Sequence, residues 1–254
     1  MKMKRTILLS GMIGMALLLT SCLEEGSRNY DETSVAYMAT DMETGRVYGR
    51  TLTGRLITSA NMQLMYPGSF QFFHYSWTEE AGTTPISMSS TSTDVLQADN
   101  VAIIGDPVEI NRVSLRMDEE PPVVETPKKF VGIDPPVYAA DEIYLGDHWL
   151  FQYTYEAKDN DDVAVNFYYR EDPEASENEV TIFIELIIEP KPNDSSSVTR
   201  KTDIIALDMS QLRARYEGTS QTNTKELMIT FKYYQGESNQ IVNSEVYRMT
   251  VQGD

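Results

Sequence analysis

Two histidines, His74 and His148, are all the imidazole in this chain of 254 residues. A histidine-rich zinc site or a Ser-His-Asp triad would need them to meet other groups by chance, and no GxSxG, HExxH or phosphate-cradling glycine loop is present. Both are read as structural surface histidines, with His148 on a polar strand face opposite Trp149. Asp159, Asp161 and Asp162 flank Asn160 and crowd hard oxygen donors into one loop. That chemistry suits calcium, which takes about six to eight oxygens. The loop lacks the glycine and later glutamate of an EF-hand, so a hydrated acidic turn is the reading adopted, with no metal and no cofactor expected. Glycoside hydrolysis needs two carboxyls about 5 to 9 Å apart, and among this many acids the sequence singles out no catalytic pair. The doublets Tyr168-Tyr169 and Tyr233-Tyr234 place successive rings on opposite faces of a strand. If one ring of each is core, its neighbour is displayed, which makes Tyr168 and Tyr234 the candidates for contact with a protein or sugar. Aromatic pairing that only steadies the sheet is the plainer alternative.

The lone cysteine sets location. Lys2, Lys4 and Arg5 precede a thirteen-residue, mostly apolar stretch, Ile7 to Leu19, and then Leu19-Thr20-Ser21-Cys22. The stretch is too short to span a bilayer, which takes about 20 residues, and reads as a secretory signal. Its end resembles a lipobox, in which cleavage falls just before a diacylglycerol-modified cysteine. Cys22 is therefore the expected lipidation site. Removing residues 1–21 takes away three cations and no acid, so the charge of −18 becomes −21. Such a field disfavours phosphate backbones and anionic headgroups, so no nucleic-acid partner is expected and the lipid must hold the chain at the membrane. Leu23-Glu24-Glu25-Gly26 resembles the acidic export signal of Bacteroidetes surface lipoproteins, so the surface of the outer membrane is preferred over its periplasmic face.

The elements that would carry these residues are strands. Trp149, Phe151, Tyr153 and Tyr155 alternate with mostly polar neighbours, and so do Val163 to Tyr169, Val180 to Ile188, Leu227 to Tyr233 and Val242 to Val251. Asp159 to Asp162 is expected to turn a hairpin between the first two of these. The earlier half reads as shorter strands: Thr33–Thr40, Arg46–Leu52, Gln63–Tyr66, Phe70–Trp77, Val101–Ile104 and Val108–Leu115, with Thr83–Asp94 as a long polar loop. Between the halves, Asp118 to Pro127 holds three prolines and four acids, the composition of a stiff linker.

The order of these features resembles the NigD-like lipoproteins of Bacteroidetes. Asp141-Glu142-Ile143-Tyr144-Leu145-Gly146-Asp147-His148-Trp149-Leu150 is similar to that family's D-x-W-x-G-x-x-Y-L strand pair. Ile205-Ala206-Leu207-Asp208-Met209-Ser210-Gln211-Leu212 is similar to its F-D-L-S-x-L segment. The chain departs from the pattern at Tyr144, where a tryptophan is usual, and in its Pro-rich junction. The resemblance implies an all-β chain, a small OB-like β-barrel followed by an immunoglobulin-like antiparallel β-sandwich, with no established enzymatic activity. The expected organisation is a signal peptide (1–21), a lipidated acidic tether (22–32), the barrel domain (33–117), a linker (118–136) and the sandwich domain (137–254). The expected function is a non-enzymatic surface module for a protein or glycan partner. A cell-surface polysaccharide hydrolase, or an accessory glycan-binding component, is the alternative.

Overall fold

Alternating strands become a sandwich because their apolar faces can be buried only against one another. A computed structural model describes residues 29–88, 95–139, 142–192, 194–219, 223–236 and 240–253, without the side chains of residues 142 and 143. The signal segment, Cys22 and the first part of the tether lie outside the described residues. Residues 29–32, expected in the tether, already belong to the first strand.

The chain is nearly all β. In order, the strands are β1 (Asn29–Thr40), β2 (Val47–Thr51), β3 (Leu56–Thr58), β4 (Phe70–Thr78), β5 (Thr83–Ser87), β6 (Val95–Asn100), β7 (Ala102–Ser114) and β8 (Arg116–Met117). After β9 (Gly132–Ile133) and a helical turn, α1 (Glu142–Leu145), come β10 (His148–Ala157), β11 (Asp162–Tyr169), β12 (Glu179–Glu189) and β13 (Thr199–Asp208). A short helix, α2 (Ser210–Tyr216), precedes β14 (Thr224–Tyr234) and β15 (Ile241–Gln252). They form two sheets, ordered β5-β6-β3-β2-β1-β4-β7-β13-β10-β9 and β15-β14-β12-β11-β8.

Trp149, Phe151 and Tyr153 of β10 face Val180, Ile182 and Ile184 of β12 and Ile229 and Phe231 of β14 in the larger core. The opposite face of β10 is also covered. Leu150 packs there with Val35, Phe70, Ile110, Leu145 and Ala206, because Ala139, Tyr144 and Leu145 lie against that face and Val137 bonds Leu150 in both directions. His148 is accordingly buried rather than on the surface. Its Nδ1–H donates to the Leu145 carbonyl at 3.0 Å, and its ring meets Phe70 edge-on at 5.1 Å.

The all-β class and the sandwich are as expected, but neither sheet closes into a barrel. β5 ends the first sheet on one side, and on the other β7 continues into β13 through the parallel register Asn111–Ser114 against Ile205–Asp208. Several local expectations also change. Thr83–Ser87 is a strand, and Pro85 is tolerated there because β5 is an edge. Gln63–Tyr66 is not a strand: a 3-10 turn spans Asn61–Leu64. The two expected strands at 101–104 and 108–115 are one, β7, with Gly105, Asp106 and Pro107 in a bulge opposite Phe73. Residues 159–162 do not turn a hairpin either. β10 pairs with β13 and β9 while β11 pairs with β12 and β8, so this loop crosses between sheets.

Candidate functional site

The acidic, proline-rich segment expected to link two domains lies along the outer face of the smaller sheet as a strap. Prolines remove backbone donors and favour an extended path, so the strap adds no ladder of its own and is held by its ends and side chains. At its start the Asp118 N–H donates to the Tyr169 carbonyl at 2.7 Å, and the Asp118 carboxylate accepts from Arg215 at 2.8 and 2.9 Å. Glu120 pairs with Arg170. At its end the Phe130 N–H donates to Tyr234, the Phe130 carbonyl accepts from Gly236, and the Val131 N–H reaches Thr154 in the other sheet.

Two hollows lie along the strap. The smaller, about 190 Å³, is enclosed by Pro122, Val124 and Pro127 of the strap over Phe183, Ile187 and Tyr234. Pro127, Lys128 and Ile188 are common to it and to a cleft of about 550 Å³ at the loop end of the sandwich. The cleft has apolar walls from Phe130, Ile188, Pro190 and Val198. Its charges are Lys128, Lys129 and Arg200 against Glu156 and Asp161.

The residues singled out from the sequence divide around this groove. Tyr234 is half-buried in the smaller hollow with its ring edge-on to Phe183 at 5.9 Å. Tyr168 is not displayed. It is 5% exposed, Arg116 covers its ring at 5.2 Å, and its hydroxyl donates to Glu185 at 2.7 Å. Burial, then that hydrogen bond, pushes its pKa up. Its partner Tyr169 is the core ring, as the doublet argument requires.

The three loop aspartates turn to different partners. Asp159 lies 3.4 Å from Lys201, Asp162 pairs with Lys191, and Asp161 Oδ2 accepts from the Lys158 N–H at 2.9 Å. Asp161 lines the cleft, and its Oδ1 is buried without a hydrogen-bond partner. Among the described residues no three His, Cys, Asp or Glu side chains gather as a metal site would require. The loop is fastened to residues 194–196 instead: the N–H groups of Ser196 and Asn160 donate to Asp194, and these bonds hold that carboxyl at about 2. His74 sits on the other half of the molecule, 3.0 Å from Asp31, with both side chains exposed.

Lys128, Lys129 and Arg200 had no place among the sequence candidates. The Lys-Lys pair within an acidic stretch was the available signal, but Arg200 joins it only through folding.

No family model matches the sequence, and no curated protein is similar to it. Solved structures are. An uncharacterized protein of Parabacteroides merdae superposes with a TM-score of 0.60 at 10% identity, covering 86% of this chain and 98% of its own. A candidate lipoprotein of Bacteroides fragilis gives 0.55 at 12% identity, covering 89% and 99%. A NigD-like immunity protein of Bacteroides caccae gives 0.47 at 9% identity, covering 86% and 96%, a likeness too loose to carry an argument. At such identities what the chain shares with the first two is its fold.

Proposed function

We propose that this chain is a lipid-anchored, non-enzymatic protein of the outer-membrane surface that holds a glycan or protein partner in the strapped groove. The observation that carries the binding part is the groove: a recessed run of apolar wall with a few convergent charges, under a strap tied at both ends. Hollows of about 300 to 1,000 Å³ with that lining are the usual seats of ligands. The anchoring part is supported by the basic start, the short apolar stretch and Cys22, and by the fold shared with the Bacteroides fragilis protein.

Val198 is 58% exposed at the cleft, so a tryptophan there fills the cleft without entering the core. Val198→Trp is expected to lose the partner that the parent chain retains from envelope extracts, with its Tm shifted by no more than about 2 °C. Retention of that partner would remove the groove from the function. Return of a glycan partner in cleaved form would overturn the non-enzymatic part, and absence of fatty acid on Cys22 by mass spectrometry would overturn the anchor.

A further inference from the structure

Asp and Glu outnumber Lys and Arg by 39 to 21, so a cation in this chain has acids to choose from. Around the sandwich several are paired. Lys191 is paired with Asp162, Lys201 with Asp159, Arg170 with Glu120, Arg215 with Asp118, Arg213 with Asp147 and Arg248 with Glu226. Lys128 and Arg200 are not: among the described residues neither has an ion pair, and both line the cleft that Lys129 also lines. Glu156 stands directly across the β10–β13 ladder from Arg200, yet the two carry no ion pair. The cleft also holds the Asp161 carboxylate, whose buried Oδ1 lacks a donor.

These groups set two demands on an occupant. It needs a fixed negative charge for Lys128 and Arg200, and hydrogen-bond donors close to that charge for Asp161 and Glu156. The apolar wall of Ile188, Pro190 and Val198 asks for a flat C–H face as well. A sugar ring bearing a carboxylate meets all three demands on one unit, whereas an acidic peptide separates its carboxylates from its backbone donors by the length of a side chain. We infer that the 550 Å³ cleft binds a uronic-acid oligosaccharide, with the carboxylate between Lys128 and Arg200 and hydroxyls donating to Asp161 and Glu156. This rests on the groove being the binding site and adds the chemical class of its ligand.

The test is calorimetric titration of the full chain with trigalacturonate, the neutral trisaccharide maltotriose and triglutamate. Trigalacturonate is expected to bind at least about tenfold more tightly than either comparator, and Lys128→Gln and Arg200→Gln are each expected to weaken it by about tenfold to a hundredfold, as loss of a charge-assisted hydrogen bond does. Both side chains are exposed, so an unchanged melting curve accompanies the loss. Equal binding of maltotriose, equal binding of triglutamate, no binding of trigalacturonate, or indifference to both substitutions overturns the inference. Val198→Trp separates the two levels. If it releases the envelope partner while trigalacturonate fails to bind the parent chain, the groove stands and only the ligand class falls.

Discussion

Asp41 shows how one side chain can hold a turn. It is 2% exposed, its Oδ1 accepts from the N–H groups of Glu43 and Thr44 at 2.8 and 2.9 Å, and its Oδ2 accepts from Ser87 at 3.3 Å. Burial pushes the carboxyl up, but the three backbone donors outweigh it and the pKa stays below the usual value. The folded group thus titrates below the unfolded one. Its charge-linked stability is complete above an unfolded pKa of about 3.9 and is lost as the pH falls through the lower folded value. Asp41→Asn keeps one acceptor but turns an amide towards the Ser87 N–H, and should cost about 1 to 2 kcal/mol at neutral pH. Below pH 4 the variant's Tm should fall less steeply than the parent's. Parallel curves between pH 2 and 6 would show that Asp41 is not a source of the acid sensitivity.

At the scale of elements, the turn from α1 into β10 places two consecutive residues, Gly146 and Asp147, at φ of 60°. Glycine is required at the first for two reasons. Its φ is left-handed, and a Cβ there would lie 2.8 Å from Tyr37 Cζ, on a ring hemmed in by Phe70 and Arg50. Gly146→Ala should therefore cost roughly 2 to 4 kcal/mol in urea unfolding, the sum of a left-handed penalty and an overpacked contact. A loss under about 1 kcal/mol would mean Tyr37 moves aside freely. Asp147 is kept in place by Arg213, whose Nε donates to both its oxygens at 2.7 Å, so the turn is tied to α2 across 66 residues of sequence. Strands with long alternation were legible from sequence: β10, β11, β12, β14 and β15 differ from expectation by one to three residues at their ends. Their partners were not, because alternation says which side is apolar and nothing about what covers it. That is why residues 159–162 read as a hairpin although they cross from one sheet to the other, and why His148 read as exposed although Leu145 and Phe70 pack against it. The same gap hid the cleft. Asp161 and Tyr234 stood out by type, but the strap that joins their hollows looked like a spacer, and Arg200 lines one cleft with Lys128 only through folding.

Across the whole molecule, the two halves share both sheet and core. β7 and β13 pair between them, Leu115 of the first half is buried among the large core of the second, and the cluster on the other face mixes Val35, Phe70 and Ile110 with Leu145, Leu150 and Ala206. Unfolding either half would expose apolar surface on its neighbour and leave part of a ladder unmade, so neither should melt alone. The chain carries its own reporters of this coupling. Its two tryptophans fall one in each half, Trp77 on β4 and Trp149 on β10. Single-tryptophan variants, Trp149→Phe and Trp77→Phe, should give transitions that coincide with each other once each is referred to its own far-ultraviolet circular dichroism curve. Leu150 is 3% exposed at the junction of the halves, and Leu150→Ala removes packing worth about 2 to 5 kcal/mol. Placed in both single-tryptophan backgrounds, it should lower the two fluorescence midpoints by the same amount, because a cavity in a shared cluster destabilises every element built on it. Should Trp149 respond while Trp77 stays unmoved, the halves are thermodynamically separate and the continuous sheet transmits no stability between them.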